Sequence, residues 1–225
     1  MIHEFHTISF ELSNDGIGHL LLNQPPANSM TVEFFREFDK VISSLAAEPQ
    51  LRAMVISGKG RHFSSGADLE GLLGFACDPS SEAFFLSNYR AFLALEELGI
   101  PVVAAIRGVC IGSAFELALF THFRFCEEDS VFGLPETTFN LVPGIGGISR
   151  ISRLCGQAKA IELSLKGNTF PAEEALNYHL VDRIVPKRKV VQYAFSFVRS
   201  IMNGYQKQKS RLYLQKIQSN EPAFI

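Results

Sequence analysis

PVVAAIRGVCIGSAFELA, the stretch from Pro101 to Ala118, decides how the rest of the chain is interpreted. Its β-branched run, Val102 to Ile106, predicts a buried strand, which the following glycines end. An apolar helix is predicted from Ala114 to Phe120, and Glu116 is the one charged residue in it. We therefore expect a strand, a glycine-rich turn and a helix N-terminus in direct succession.

Two interpretations of this turn stay open at the level of sequence. In the local one, Ser113 and Glu116 form a capping box, in which each side chain accepts a hydrogen bond from the other's backbone N–H group. In the other, free backbone N–H groups and the positive end of the helix dipole converge on one point. Such a point stabilises an oxyanion.

Composition and charge exclude several classes of function. With 225 residues, 47% of them hydrophobic and 20% charged, the chain can bury a full core, and we expect one domain. A formal net charge of −2 gives no electrostatic footprint for nucleic acid or for an anionic membrane. The sequence has neither the pattern of a secretory signal nor a long apolar span. We expect a cytoplasmic protein with no nucleic-acid or membrane partner.

The cysteines do not suggest a metal centre. All four are far apart, without a CxxC pair and without a histidine at ligand spacing; they are Cys77, Cys110, Cys126 and Cys155. This pattern favours buried thiols of a reduced protein over zinc ligands or disulfides.

The first part of the chain predicts a β-hairpin and then a helix. Two strand-like runs, Phe5 to Leu12 and Ile17 to Leu22, are separated by Asp15-Gly16, which is a strong hairpin signal. Thr31 is expected to cap the helix that follows. The next buried strand is predicted from Ala53 to Ser57.

A second turn leads towards a helix at Arg61 to Leu69, RHFSSGADL. Taken locally, Asp68 is a helix N-cap, and the serines and Gly66 are ordinary turn residues. Residues 70 to 80 are predicted as a loop, and a helix is predicted from Phe84 to Leu98.

The carboxyl-terminal part contains the run LPETTFNLVPGIGG at residues 134 to 147. Pro135 and Glu136 suit the first turn of a short helix. The glycines do not fit a dinucleotide fingerprint, because no strand directly precedes them and Ser149 occupies the third glycine position. The other elements predicted here are strands at Phe123 to Cys126, Val131 to Gly133 and Leu180 to Val185, and helices at Ala158 to Lys166, Ala172 to Asn177 and from Val190 onward.

Five segments in this order resemble the enoyl-CoA hydratase/isomerase, or crotonase, family. They are QPPANS, FSSGADL, the opening stretch, FGLPETTFNLVPGIGG and PAEEALNYHLVDRIVP. The resemblance implies an α/β fold, a crotonase-like spiral of ββα units with two near-perpendicular sheets flanked by helices. It also implies a core domain at residues 1–185, a C-terminal helical segment at 186–225 that is shorter than usual for the family, and a homotrimer or dimer of trimers.

The resemblance also implies acyl-CoA chemistry and assigns site residues. Ala67 and Ser113 match the two backbone N–H donors of the family's oxyanion hole, and Glu116 and Glu136 match its catalytic carboxylates. Substrate binding falls on the segment that contacts CoA and on the glycine of the turn, that is on Ala67, Asp68, Leu69, Glu70 and Gly112. No metal and no separate cofactor are implied, since coenzyme A is part of the substrate.

The sequence departs from the family's usual pattern in three segments. Gly112-Ser113-Ala114 stands where three glycines are common, which keeps the N–H donors but reduces backbone freedom. Asn140 stands at a position that is often glycine, and Glu70 at one that is often lysine.

The function expected from these residues is that of a hydro-lyase that adds water to a 2-enoyl-CoA. Because two like charges share the site, one glutamate should hold its proton near neutral pH. Alternatives are a Δ3,Δ2-enoyl-CoA isomerase, which needs one carboxylate, a related decarboxylation or thioester hydrolysis, and a non-catalytic acyl-CoA-binding protein. A serine hydrolase with Ser113 as nucleophile would need a histidine partner from among His62, His122 and His179.

Overall fold

The computed structural model describes residues 2–68 and 81–202 of the chain. Within these ranges the strands are β1 (Ile2–Glu4), β2 (Ile8–Leu12), β3 (Ile17–Leu22), β4 (Ala53–Gly58), β5 (Val102–Ile106), β6 (Val109–Ile111), β7 (Phe123–Glu127), β8 (Val131–Gly133), β9 (Thr169–Pro171) and β10 (Arg183–Val185). The α-helices are α1 (Val32–Ala46), α2 (Ser81–Glu97), α3 (Ser113–Leu119), α4 (Gly147–Cys155), α5 (Gln157–Lys166), α6 (Ala172–Asn177) and α7 (Val190–Met202), and a 3₁₀ helix spans Pro135–Phe139.

The strands form two sheets. The larger has seven strands in the order β1-β2-β3-β4-β5-β7-β10, and the smaller has three in the order β6-β8-β9. Strands β1 to β3 pair antiparallel, whereas the neighbouring pairs from β3 to β10 are parallel. Strands β4 and β5 are buried along their whole length, as expected for parallel strands covered on both faces.

Two apolar clusters cover the two faces of the larger sheet. Successive residues of β4 point to opposite faces, so Ile56 joins the cluster that includes α1, α2 and α3, and Val55 joins the other. In the first cluster the rings of Phe38 and Phe92 connect α1 and α2, with their centroids 5.3 Å apart. The second is closed by α7, whose Val190, Ala194 and Val198 recur every four residues on one helix face.

Local signals predicted most of these elements. The hairpin is confirmed, with β2 antiparallel to β3 and Gly16 in the turn at a φ of 83°. Thr31 caps α1, since its hydroxyl accepts a hydrogen bond from the Phe34 N–H at 3.2 Å. The last strand is shorter than predicted and begins at Arg183, because the Leu180 N–H donates to the Ala175 carbonyl and so completes the end of α6.

The cysteines that the structure describes are free thiols. Cys110 and Cys126 are buried, and burial raises the pKa of both, that of Cys126 to about 12. Cys77 and the loop predicted at residues 70 to 80 lie outside the described residues. The division of the chain after residue 185 stays a prediction. None of the described helices has the length and apolar character needed to cross a membrane.

Candidate active site

The glycine turn after β6 leads directly into α3, and the Ser113 N–H group lies at the start of this helix. Gly112 precedes the helix with φ 56° and ψ −136°, a backbone conformation that essentially only glycine adopts without strain. The Ser113 N–H belongs to the first turn of α3, where backbone donors have no partner within the helix. No side chain caps this helix end among the described residues.

The second turn lies against the first. The Met30 N–H donates to the Gly66 carbonyl at 2.8 Å, and the Met30 carbonyl accepts from the Asp68 N–H at 3.0 Å. Ala67, between these two partners, is thereby left with its own N–H and C=O directed away from Met30. A Cβ atom built on Gly66 would lie 3.3 Å from the Ser113 nitrogen, so the segments that carry Ala67 and Ser113 are in close contact.

Glu116 is buried and held by a loop that is distant in sequence. Its side chain is 1% exposed, and its Oε1 accepts hydrogen bonds from the N–H groups of Ile145 at 3.0 Å and Gly147 at 2.9 Å. A Cβ atom on Gly147 would lie 2.7 Å from the Glu116 Cγ, so this close approach requires glycine. The interpretation of Ser113 and Glu116 as a capping box is therefore wrong. The Glu116 carboxylate accepts from N–H groups just before and at the start of α4, and not from N–H groups of its own helix.

Glu136 lies against the glycine turn. It follows Pro135 in the first turn of the 3₁₀ helix, as predicted. A Cβ atom built on Gly112 would lie 3.3 Å from the Glu136 Oε1. Its Oε2 is buried and has no hydrogen-bond partner within residues 2–68 and 81–202. A buried acceptor of this kind is suited to a hydrogen bond from a water molecule or a substrate hydroxyl.

Burial changes the titration of both carboxyl groups. Burial raises the pKa of Glu116 to about 7; the N–H groups of Gly147 and Ile145 oppose the rise, and the charge of Glu136 adds to it. The pKa of Glu136 is also raised, again chiefly by burial. A carboxyl group that holds its proton near neutral pH was expected from the pairing of like charges, but here desolvation contributes more.

One cavity of about 300 Å³ brings most of the predicted site residues together. Ala67, Gly112, Ser113, Glu116 and Glu136 all line it. The rest of the lining is mainly apolar and consists of Ser65, Phe85, Ile111, Pro135, Thr138, Phe139, Leu141, Val142, Gly144 and Ile145. Asp68 is not part of the lining, and Leu69 and Glu70 lie outside the described residues.

Sequence reasoning missed the donors to Glu116, Ile145 and Gly147. The sequence feature that could have indicated these donors is the GIGG run at residues 144 to 147. This run does not fit a nucleotide fingerprint; instead it contains both N–H groups that bind Glu116. A serine hydrolase is disfavoured, because no histidine lines the described cavity. His62 and His122 instead accept backbone hydrogen bonds through Nδ1, from Val109 at 3.1 Å and Val102 at 3.2 Å.

The fold and the cavity define a class of protein, the crotonase-type α/β proteins. The chain belongs to the enoyl-CoA hydratase/isomerase family, whose model matches residues 13–219. The fold expected from the sequence is thereby confirmed.

Relatives in this family carry different names. The alpha subunit of the fatty acid oxidation complex from Shewanella amazonensis is 38% identical over 188 residues, which cover 80% of this chain and 26% of the subunit. The peroxisomal Δ(3,5)-Δ(2,4)-dienoyl-CoA isomerase of Arabidopsis thaliana is 33% identical over 184 residues, covering 76% of this chain and 66% of the isomerase. The chain thus spans about a quarter of the length of the oxidation-complex subunit.

Solved structures share the architecture. Enoyl-CoA hydratase from Bacillus anthracis superposes with a TM-score of 0.88 at 29% identity, covering 95% of this chain and 83% of that one. A Thermobifida fusca YX protein, solved in complex with CoA, superposes with a TM-score of 0.85 at 26% identity, covering 97% and 87%.

Proposed function

We propose that this protein is an enoyl-CoA hydratase that adds water across the C2–C3 double bond of a 2-enoyl-CoA thioester. The observation that carries the proposal is that two carboxyl groups, that of the buried Glu116 and that of the partly buried Glu136, line the same cavity as Ala67 and Ser113. Hydration needs groups that handle water and a proton on one side, and donors for the thioester oxygen on the other. This set of residues meets both needs.

The N–H groups of Ala67 and Ser113 are assigned to the thioester oxygen. As the water oxygen bonds to C3, the electron pair of the double bond moves through C2 onto this oxygen, giving an enolate. Two fixed donors stabilise the charge that develops there, and they need no reorganisation during the reaction. In support, the Ser113 N–H lies in the first turn of α3, and the two hydrogen bonds of Met30 to Gly66 and Asp68 leave the Ala67 N–H directed away from Met30.

The Glu116 and Glu136 pair is assigned to the water and the proton. The pair positions the water, accepts one of its protons as its oxygen bonds to C3, and delivers a proton to C2 as the enolate collapses. The product is the 3-hydroxyacyl-CoA, and the carboxyl groups return to their starting protonation. The pKa of about 7 for Glu116 suits this work, because a group that titrates near the working pH both gives and takes protons readily.

Coenzyme A enters this proposal only as part of the substrate, with no separate cofactor. The relative from Thermobifida fusca that was solved in complex with CoA supports acyl-CoA as the ligand class. The backbone from Ala67 onward is proposed to contact the CoA portion. We also propose a homotrimer or a dimer of trimers as the working assembly.

A second candidate reaction moves the double bond instead of adding water. The Arabidopsis relative is a dienoyl-CoA isomerase by name, and an isomerisation would use the same oxyanion donors. It requires only that a proton leave one carbon and return to another, for which one carboxylate is enough. Two glutamates on the cavity wall favour hydration.

The test measures both reactions with the purified chain. Crotonyl-CoA hydration is followed by the loss of absorbance of the conjugated thioester, and 3-enoyl-CoA isomerisation by its gain. We expect hydration to dominate and to be lost in Glu136→Gln. Isomerisation without hydration would replace the proposal with the isomerase, and CoA-thioester binding without either turnover would indicate a binding protein.

A further inference from the structure

An ion pair joins α2 to α4 one helical turn beyond Gly147, which donates a hydrogen bond to Glu116. Arg150 donates to both carboxylate oxygens of Glu96, with Nη1 to Oε1 at 2.7 Å and Nη2 to Oε2. The two side chains are 12% and 20% exposed. A two-pronged contact between a planar guanidinium and a carboxylate fixes orientation as well as distance.

The same arginine also contacts the end of α3, the helix that carries Glu116. Its guanidinium carbon lies 3.9 Å from the centroid of the buried Phe120 ring, a cation–π contact. Arg150 therefore touches α2 through Glu96 and α3 through Phe120, while its own backbone forms the start of α4.

The start of α4 is also the source of the hydrogen bonds to Glu116. The Gly147 N–H donates to Oε1 of Glu116, and the Arg150 N–H donates to the Gly146 carbonyl in the adjoining turn. Any displacement of this helix end along or away from α3 lengthens the bonds that hold the carboxylate. Hydrogen bonds weaken steeply with distance and angle, so small displacements matter.

We propose that Glu96 and Arg150 are positioning residues, whose ion pair holds the N-terminus of α4 against Glu116 so that the Ile145 and Gly147 N–H groups stay bonded to one carboxylate oxygen. Oε1 is thereby committed to the backbone, and Oε2 is the oxygen presented to the cavity. The consequence for turnover rests on the proposed function, whereas the consequence for the protonation of Glu116 does not.

The charged groups near Glu116 belong to two sets. Glu136, on the 3₁₀ helix, acts directly on Glu116 and raises its pKa. Glu96, Arg150 and Arg124 act on His122, beyond the end of α3; burial lowers the pKa of this histidine to about 4, Glu96 opposes the fall, and the two arginines add to it. His122 is therefore neutral across the range in which Glu116 titrates.

Positioning and simple charge effects predict opposite signs for one variant. Replacing Glu96 by methionine removes a negative charge, which by Coulomb's law alone would lower the pKa of Glu116. If the pair instead holds α4 in place, the same replacement loosens the N–H donors, and the pKa rises. Arg150→Met raises it under either view, so Glu96→Met is the deciding variant.

The experiment titrates Glu116 directly by infrared difference spectroscopy on the whole protein. The carboxyl band of Glu116 is identified as the one missing from Glu116→Gln. We expect Glu96→Met and Arg150→Met each to raise its pKa by about one unit, roughly what one hydrogen bond to a charged group is worth. Arg153→Met removes an exposed arginine from the same helix and serves as the matched control, with no shift expected.

Milder variants keep the test informative if the methionine variants do not fold. Glu96→Gln retains one acceptor and Arg150→Lys retains the charge without the planar fork, so both should raise the pKa by less, with the same sign. A fall or no change in Glu96→Met or Glu96→Gln would overturn the proposal. The infrared band is measured without substrate, so this result does not depend on whether the protein hydrates enoyl-CoA. If the protein does hydrate enoyl-CoA, the pKa of Glu116 read from the pH profile of kcat/KM should shift by the same amount.

Discussion

Gly112 and Glu136 approach each other so closely that a Cβ atom on the glycine would lie 3.3 Å from the Glu136 Oε1. The turn that presents the Ser113 N–H is therefore also one wall of the space around the second carboxyl group. Glu116 lines the same cavity from the next turn of α3. The Ser113 N–H and both carboxyl groups thus meet at the Gly112 turn, although Glu136 belongs to a separate segment of the chain.

Replacing either glutamate by glutamine should lower hydration of crotonyl-CoA strongly. Each variant is expected to lose about two to four orders of magnitude in kcat, which is the usual contribution of positioned acid–base catalysis. Steady-state kinetics measures the loss, and circular dichroism with CoA-thioester binding checks that the fold and the cavity are intact. One indispensable glutamate beside one that tolerates glutamine would instead favour the isomerase.

Ser113 should act through its backbone and not through its hydroxyl. Ser113→Ala keeps the N–H group, so turnover should stay within about tenfold, or about 1.4 kcal/mol of barrier. An amide-to-ester replacement at the same residue deletes only the N–H group and should cost about 10² to 10³ in rate. Loss of activity in a folded Ser113→Ala protein would contradict this and would favour the hydroxyl as a nucleophile.

The sequence predicts those parts of the fold that depend on neighbouring residues. The Thr31 cap and the Asp15-Gly16 turn involve atoms a few residues apart, and the structure has both. Strand β6 was missed, because three residues between Gly108 and Gly112 look like part of the turn until β8 pairs with them.

In the candidate site, too, the sequence predicts some features and misses others. The resemblance assigns Ala67, Ser113, Glu116 and Glu136, and the structure brings all four to one cavity. The local pattern around Glu116 favours a capping box, but its side chain binds N–H groups 29 and 31 residues further along the chain. No short-range rule can detect such partners, since they meet only when α3 and the start of α4 are packed together.

The proposed assembly can be measured by light scattering at micromolar protein concentration. We expect a mass of three or six times the 25.0 kDa of the chain. Large apolar side chains are exposed on helices of the single chain. Among them are Ile161 and Leu165 of α5, which are 47% and 72% exposed. Burial of such surface between subunits favours association. A monomer in solution would contradict the prediction.

The stability of the protein should depend on pH through Glu116. The folded-state pKa of Glu116, about 7, lies above the ordinary value of 4.5. Below the lower value the group is protonated in both states and contributes no pH dependence. Between the two values the folded state keeps a proton that the unfolded state has released, so stability falls as pH rises, by at most about 1.4 kcal/mol per pH unit.

Glu116→Gln cannot ionise and should escape this loss. The Tm of Glu116→Gln minus that of the wild type should therefore increase between about pH 5 and about pH 7 and then level off. Glu136 is present in both proteins, so the change in this difference reports the titration of Glu116. Thermal unfolding followed by circular dichroism across this range measures the difference. Glu97→Gln makes the same chemical change at an exposed position of α2 and is the control. If the Glu116→Gln difference does not vary with pH, Glu116 is ionised in the folded protein throughout the range, and the raised pKa that suits it both to give and to take protons at neutral pH is wrong.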